Sequence, residues 1–226
     1  MYVAAGTTVG AGPAGPAPWP GPGGGGEAVV DCLVARRGRL PRDRMNRRLN
    51  EAGRFLLIEA AARIYGLSLT AADLARDGHR RWYLPALDLS ASVAHCEDHS
   101  VVAFAAGAWI GVDLQDERDR PGALLWLGDL LGRPPGQPAV IRDFAECEAL
   151  IKASHLTKET FAGVRLPAWR PGWRPCGEHH LRSLVLPGGG MHLALAADRP
   201  ATVRWWWQAE RDRTPVPTDA LRLERA

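Results

Sequence analysis

The stretch Val101–Val112 carries no charged or strongly polar side chain. It is far shorter than the ~20 residues that a membrane-spanning helix needs. A short, continuous apolar run rich in Val and Ala reads as strand buried on both faces, and it predicts one or two central strands over 101–114, broken near Gly107. Such strands must be covered on each side, and a chain of 226 residues is long enough to supply the cover.

The flanking pattern supplies the rest. Val29–Val34 predicts a short strand, and a helix is expected from about Asn50 to Tyr65. On that helix Arg54, Leu57, Ile58, Ala61 and Tyr65 share one face, with Glu59 and Arg63 as a solvated pair opposite. Arg54 ends the apolar face, where it either finds a partner or snorkels to water. Asp77-Gly78 marks a turn, Arg80–Tyr83 and Leu87–Val93 read as short strands, and 116–137 as a short helix between loops. A second clear helix runs from Pro138 or Arg142 to Ala153. Leu181–Leu186, Met191–Ala196 and Thr202–Trp207 are expected strands, with loop over Trp169–Trp173 and no internal repeat. Residues 1–26 hold nine Gly and five Pro and read as disordered, and 211–226 as a polar, frayed tail.

Composition excludes a disulfide-stapled scaffold and a wholly disordered chain. Cys32, Cys96, Cys147 and Cys176 form no Cys-x-x-Cys pair and read as free thiols. Cys96-x-x-His99 and Cys176-x-x-His179 have zinc half-site spacing, but their strand or loop context, with His95 and His180 adjacent, disfavours that use. With no signal peptide and no spanning segment the expectation is a soluble, cytoplasmic protein. The net charge is +3, and lysine occurs only at 152 and 158 among 28 basic residues. Arginine-rich usage with Arg204-Trp-Trp-Trp207 leaves one reading as a nucleic-acid-binding module, although the same tryptophans equally end a strand beside the core.

Three stretches carry chemistry. In Ile110-Gly-Val-Asp-Leu-Gln115 an apolar strand ends in a carboxylate, with Asp113 and Gln115 on one face; Asp113 either caps the next turn or meets a cation or metal. In Phe144-Ala-Glu-Cys-Glu-Ala-Leu-Ile-Lys152, Phe144, Cys147 and Ile151 are the expected core stripe. Glu148 and Lys152 border it one turn apart, either as a surface ion pair or as a half-buried Glu beside a Lys, an arrangement suited to a general base. In Ser92-Val-Ala-His95-Cys-Glu-Asp-His-Ser100, His95 lies at a turn between strands, as a core or cap histidine or a ligand contact.

In this order the stretches resemble the phosphopantetheinyl transferases of the larger type, which act on carrier proteins of polyketide and nonribosomal peptide synthases. "SVAHCEDHSVVAF" resembles their Ser-x-Ser-His-like turn, "IGVDLQ" their Gly-(Ile/Val)-Asp-x-Glu strand, and "FAECEALIKA" their Trp/Phe-x-x-Lys-Glu-(Ala/Ser)-x-x-Lys helix; "GRFLLIEAAAR" is similar to their N-terminal helix. The resemblance spans roughly residues 29–207. It implies an α+β fold of two similar halves in pseudo-twofold arrangement, 27–110 and 111–210, with the site between them, in a monomer. It implies transfer of the phosphopantetheine arm of coenzyme A to a serine of an apo carrier protein. Asp113, Glu148 and Gln115 would hold magnesium or manganese, Glu148 would be the base and Lys152 would neutralise phosphate charge. His95 and Arg54, with Arg80 or Arg81 in place of a Gly-Lys-Pro lysine, would contact coenzyme A, and the loosely aligned Arg39, Arg42 and Arg44 would add to that phosphate site. Segment 116–137 would face the carrier, and neither nucleic acid nor membrane is an expected partner. Gln115 where an acid is common, and Cys147 in place of a lysine, depart from the pattern and leave room for a catalytically inactive relative acting as a scaffold.

Overall fold

The computed structural model describes residues 27–36, 47–157, 160–208 and 216–217. The readings of 1–26, of Arg39, Arg42 and Arg44, and of the tail beyond 217 lie outside them. In chain order the elements are β1 (Val29–Arg36), α1 (Arg47–Tyr65), β2 (Ala75–Arg76), β3 (Trp82–Leu84), β4 (Leu89–Cys96), β5 (His99–Ala106), β6 (Ile110–Asp116), α2 (Pro121–Leu130), α3 (Ile141–Ala153), β7 (Arg174–Cys176), β8 (His179–Val185), β9 (Met191–Ala197), β10 (Thr202–Gln208) and β11 (Val216–Pro217). The fold is α+β. The long apolar run becomes two strands, β5 and β6, separated at Gly107, whose positive φ of 71° suits glycine.

One sheet runs β11-β10-β1-β5-β4-β3-β2 and the other β6-β9-β8-β7. Period-two alternation sorts their side chains into three cores. Cys32, Ala103 and Ala94 of the first sheet meet Val112, Leu193 and Leu195 of the second between the sheets. Leu33, Val102 and Phe104 point the other way, onto Leu56, Leu57 and Ala61 of α1. Ala194 and Ala196 point onto Ala145, Ala149 and Leu150 of α3. Each sheet thus carries a long helix on its outer face. No described helix is long and apolar enough to cross a membrane.

Three expectations change. The segment 111–210 does not form one sheet: β10 joins the first sheet, pairing parallel with β1, Cys32 opposite Trp205, while Val203 and Trp205 still pack on the second sheet across the shared core. Asp31, 2% exposed, fixes that pairing by accepting Tyr65 Oη–H at 2.8 Å, Trp206 Nε1–H at 2.8 Å and Arg204 Nε–H at 2.8 Å. Burial, and then the Asp31 charge, push the Tyr65 phenol far up. Trp205 is itself 2% exposed, and Trp207 is half-buried against the inter-sheet core. Second, the buried stripe of α1 is Gly53, Leu56, Leu57, Ala60 and Ala61. Arg54 lies about a quarter turn from its centre and is exposed, and the Glu59–Arg63 pair is half-buried rather than fully solvated. Third, α3 lays Ala145, Glu146, Ala149, Leu150 and Ala153 on the sheet alongside Cys147, while Phe144 and Ile151 are only partly buried.

The small residues of α3 answer Gly111. A Cβ at Gly111 would lie 2.0 Å from the Ala149 carbonyl oxygen and 2.7 Å from the Ala153 nitrogen. Strand and helix therefore meet backbone to backbone, and neither main chain has a flexible side chain to withdraw. Gly111→Ala is expected to cost about 3 kcal/mol or more of unfolding free energy by forced overpacking. A urea midpoint equal to that of the parent chain would show the contact to be softer than this.

Candidate functional site

Because residues two apart on a strand share a face, Asp113 and Gln115 follow Gly111 toward α3. Asp113 is 5% exposed. Its Oδ1 accepts from Lys152 Nζ at 2.7 Å and its Oδ2 from Gln115 Nε2 at 2.6 Å. Lys152 Nζ also donates to the Val112 carbonyl at 2.9 Å and to the Val93 carbonyl at 3.4 Å. The ammonium therefore sits where β4, β6 and the end of α3 converge. Three acceptors approached from one compact point suit three tetrahedrally disposed N–H groups, whereas a planar guanidinium would need them spread in one plane. That explains a lysine here in a chain that otherwise, Lys158 apart, uses arginine.

Glu148 lies one helical turn before Lys152 and is half-buried. It borders a pocket walled by Phe144, Cys147 and Ile151 of α3, Trp126, Leu127 and Leu130 of α2, and Phe161. Trp126 is 53% exposed, so an apolar surface opens beside the carboxylate. The helix start is fixed by Asp143, whose carboxylate accepts the Val140 N–H at 2.9 Å.

A charged rim continues from Gln115. Its Oε1 accepts from Arg120 Nη1 at 2.7 Å, and Arg120 also pairs with Asp116. Arg118 bridges Asp116 at 2.7 Å and pairs with Glu97. Burial alone would raise the Asp116 carboxyl, but the hydrogen bonds and charges of Arg118 and Arg120 together outweigh it and hold its pKa below the ordinary value.

The expected coenzyme A contacts divide. His95 lies on β4 and its Nδ1 is 2.8 Å from Ser100 Oγ. A Cβ built on Gly53 of α1 would stand 3.4 Å from its Nε2, so the residue preceding Arg54 packs on the His95 ring. Arg54 places its guanidinium 5.7 Å from the Trp82 ring, and Arg76 stands over the same ring at 3.8 Å. Burial first, then the charges of Arg80 and Arg54, lower the Arg76 pKa, so three guanidiniums share one field. Arg81 is different. It pairs with Asp77 at 2.6 Å, donates to the Ala153 carbonyl at 3.2 Å and stacks 3.5 Å from the Trp109 ring. It clamps the β2–β3 hairpin to the end of α3, its side chain almost fully buried.

Sequence reasoning passed over Arg76, Trp82 and Arg120. The first two were within reach: the Asp77-Gly78 turn places Arg76 opposite Trp82 in the hairpin register. Arg120 had no such signal. The buried Glu146, held by Arg174 Nη2 at 2.5 Å and Ser183 Oγ at 2.6 Å, was also unforeseen. Cys96 and His99 face each other across the β4–β5 hairpin, and Cys176 and His179 across β7–β8. All four cysteines are free and buried. Burial pushes the Cys96 thiol up to about 11 and raises the other three as well. Among the described residues no group of three His, Cys, Asp or Glu side chains is placed to hold a metal ion.

Comparison with protein-family models gives no match, and comparison with curated proteins gives none.

Folded Asp116 holds its proton less tightly than the unfolded chain does. Its stabilisation is therefore complete above the ordinary Asp range and is lost as the pH falls through the lowered folded value. Urea midpoints are expected to drop between about pH 5 and about pH 3, and Asp116→Asn to drop less steeply over the same window. Equal slopes would remove Asp116 from the acid response.

Proposed function

We propose that this chain transfers the phosphopantetheine arm of coenzyme A to a serine hydroxyl of an apo carrier protein. The observation that carries the reading is the 2.7 Å contact of Lys152 with Asp113. It joins the ends of two stretches far apart in sequence, "IGVDLQ" and "FAECEALIKA", which resemble the family's motifs, and leaves Glu148 one turn away. His95 beside α1, and Arg54 and Arg76 against the Trp82 ring with the charge of Arg80 in their field, add an anion-binding and ring-stacking surface suited to a phosphorylated nucleoside. Arg81 is left out of the ligand set, being committed to Asp77 and Ala153. The pseudo-twofold relation of two halves belongs to this proposal, and it is supported by one long helix on the outer face of each sheet.

The donor chemistry fits a hard divalent cation in part. Asp113 and Glu148 offer carboxylate oxygens and would hold magnesium, or manganese as the alternative. Gln115 fits less well, because its oxygen is taken by Arg120 and its amide nitrogen faces Asp113. When bound, the cation supplies charge neutralisation to the pyrophosphate. Glu148 accepts the proton of the carrier serine. The serine oxygen bonds to the phosphorus that bears the pantetheine arm, the bond from that phosphorus to the bridging oxygen breaks, and adenosine 3′,5′-bisphosphate leaves. Lys152 neutralises charge on the departing oxygen. The apolar surface of α2 around Trp126, within the segment read as facing the carrier, lies beside Glu148, where the serine must arrive.

Intact mass spectrometry of an apo carrier protein, after incubation with this chain, coenzyme A and magnesium, is expected to show the gain of one phosphopantetheine arm. Glu148→Gln should slow the gain by about a hundredfold or more. Turnover by Glu148→Gln equal to that of the parent chain overturns the assignment of the base. No gain on several acyl and peptidyl carriers, with coenzyme A still bound, replaces transfer by the reading of an inactive, scaffolding relative.

A further inference from the structure

We infer that Lys152 blocks Asp113 to a divalent cation until a phosphate anion draws the ammonium away, so that cation and anion bind this site together and each poorly alone. The inference rests on the phosphopantetheinyl-transfer reading of the site.

Both Asp113 oxygens are committed. Oδ1 takes Lys152 at 2.7 Å and Oδ2 takes Gln115 at 2.6 Å. Gln115 has no freedom to turn its oxygen toward a cation: reversing the amide would set its NH₂ against the Arg120 guanidinium and its oxygen against the Asp113 carboxylate. A cation approaching Asp113 therefore meets a positive charge already bonded there, backed by the positive Arg120 behind Gln115. The two partners differ in freedom. The Asp113 side chain is 7% exposed and fixed on β6, whereas Lys152 is 31% exposed on a flexible stem near the end of α3. Only the lysine can yield.

A phosphate oxygen is the acceptor that can take over the Nζ–H now given to Oδ1. Once it does, Asp113 recovers a lone-pair face and the anion adds its own oxygens as ligands. By linkage, the factor by which the anion tightens the cation equals the factor by which the cation tightens the anion. No ligand needs to reach a distant site, since the switch is the exchange of one hydrogen-bond acceptor for another.

The test uses the full chain with Mn²⁺ as probe, the free ion being read by electron paramagnetic resonance, with and without coenzyme A and with a protein-free control for binding of Mn²⁺ to coenzyme A itself. Without coenzyme A, Lys152→Met is expected to bind Mn²⁺ about tenfold to a hundredfold more tightly than the parent chain, the span of a charge-assisted hydrogen bond. Lys152→Gln, which keeps a neutral donor for Asp113 and guards against misfolding of the first variant, should move in the same direction. The tightening brought by coenzyme A should be smaller in both variants than in the parent chain, and Asp113→Asn added to Lys152→Met should abolish the gain. Equal or weaker Mn²⁺ binding by both lysine variants overturns the inference, and so does tight binding by the parent chain without coenzyme A, while either leaves the transfer reading standing. Failure of every form to bind Mn²⁺, with or without coenzyme A, overturns the inference together with the metal part of the proposed function.

Discussion

A helix can lie on a strand at backbone contact only where neither presents more than a methyl group, and β6 and α3 meet in this way through Gly111, Ala149 and Ala153. The contact fixes more than separation. With Gly111 against the helix, strand alternation turns Asp113 to the same side, and the helical repeat carries Lys152, three residues after Ala149, to the end of that face. The ion pair of Lys152 and Asp113 is thus a consequence of how closely two main chains approach. A larger residue at 111 would push α3 outward and pull Lys152 off Asp113, Val112 and Val93 together.

Two further buried charges hold the elements that this contact leaves free. Asp31 collects donors from α1 and β10, so the last long strand returns to pair with the first. Glu146 collects Arg174 and Ser183, both almost fully buried, and so fixes the rotation of α3 about its axis against β7 and β8. Removing one partner of such a pair strands a charge in the interior, at about 3–5 kcal/mol. Their value here is orientational: Glu146 points into the sheet, which leaves Glu148, two residues on, at the rim.

The strands and helices that repeat cleanly were legible in the sequence, and the reason is local. Val101–Val112 had to be doubly buried, and the turns at Asp77-Gly78 and Gly188–Gly190 announced themselves, whereas His95, expected at a turn, lies inside β4, and the chain reverses two residues later at Glu97-Asp98. Non-local pairings were not legible. Nothing in Thr202–Trp207 says that it lies parallel to Val29–Arg36, because that choice is made by Asp31 accepting from Arg204 and Trp206. The stripe on α3 was misplaced for a related reason. Period and apolarity favoured Phe144 and Ile151, but the surface beneath the helix is a glycine, and close approach rewards alanine over bulk. At the candidate site Asp113, Glu148 and Lys152 were visible as residue types at telling spacings. The orientation of the Gln115 amide was not, since it is imposed by Arg120 from the next loop.

The adjacent arginines at 80 and 81 divide the work of the hairpin that carries them. Arg80 holds a positive φ of 66°, a conformation that costs a non-glycine residue of order 1 kcal/mol or more. The Asp77 carboxylate accepts the backbone N–H of Arg81 at 2.8 Å and its Nε–H at 2.7 Å, which offsets that strain and commits Arg81 to the inside of the turn. Arg81 then reaches the last carbonyl of α3, one residue beyond Lys152. The hairpin bearing Arg76, Arg80 and Trp82 is thereby tied to the helix bearing Glu148 and Lys152. The arginine surface of the first sheet and the Asp113–Lys152 site of the second are thus held at a fixed separation. On the proposed reading, this clamp sets the span between the phosphates of coenzyme A and the group that reacts beyond them.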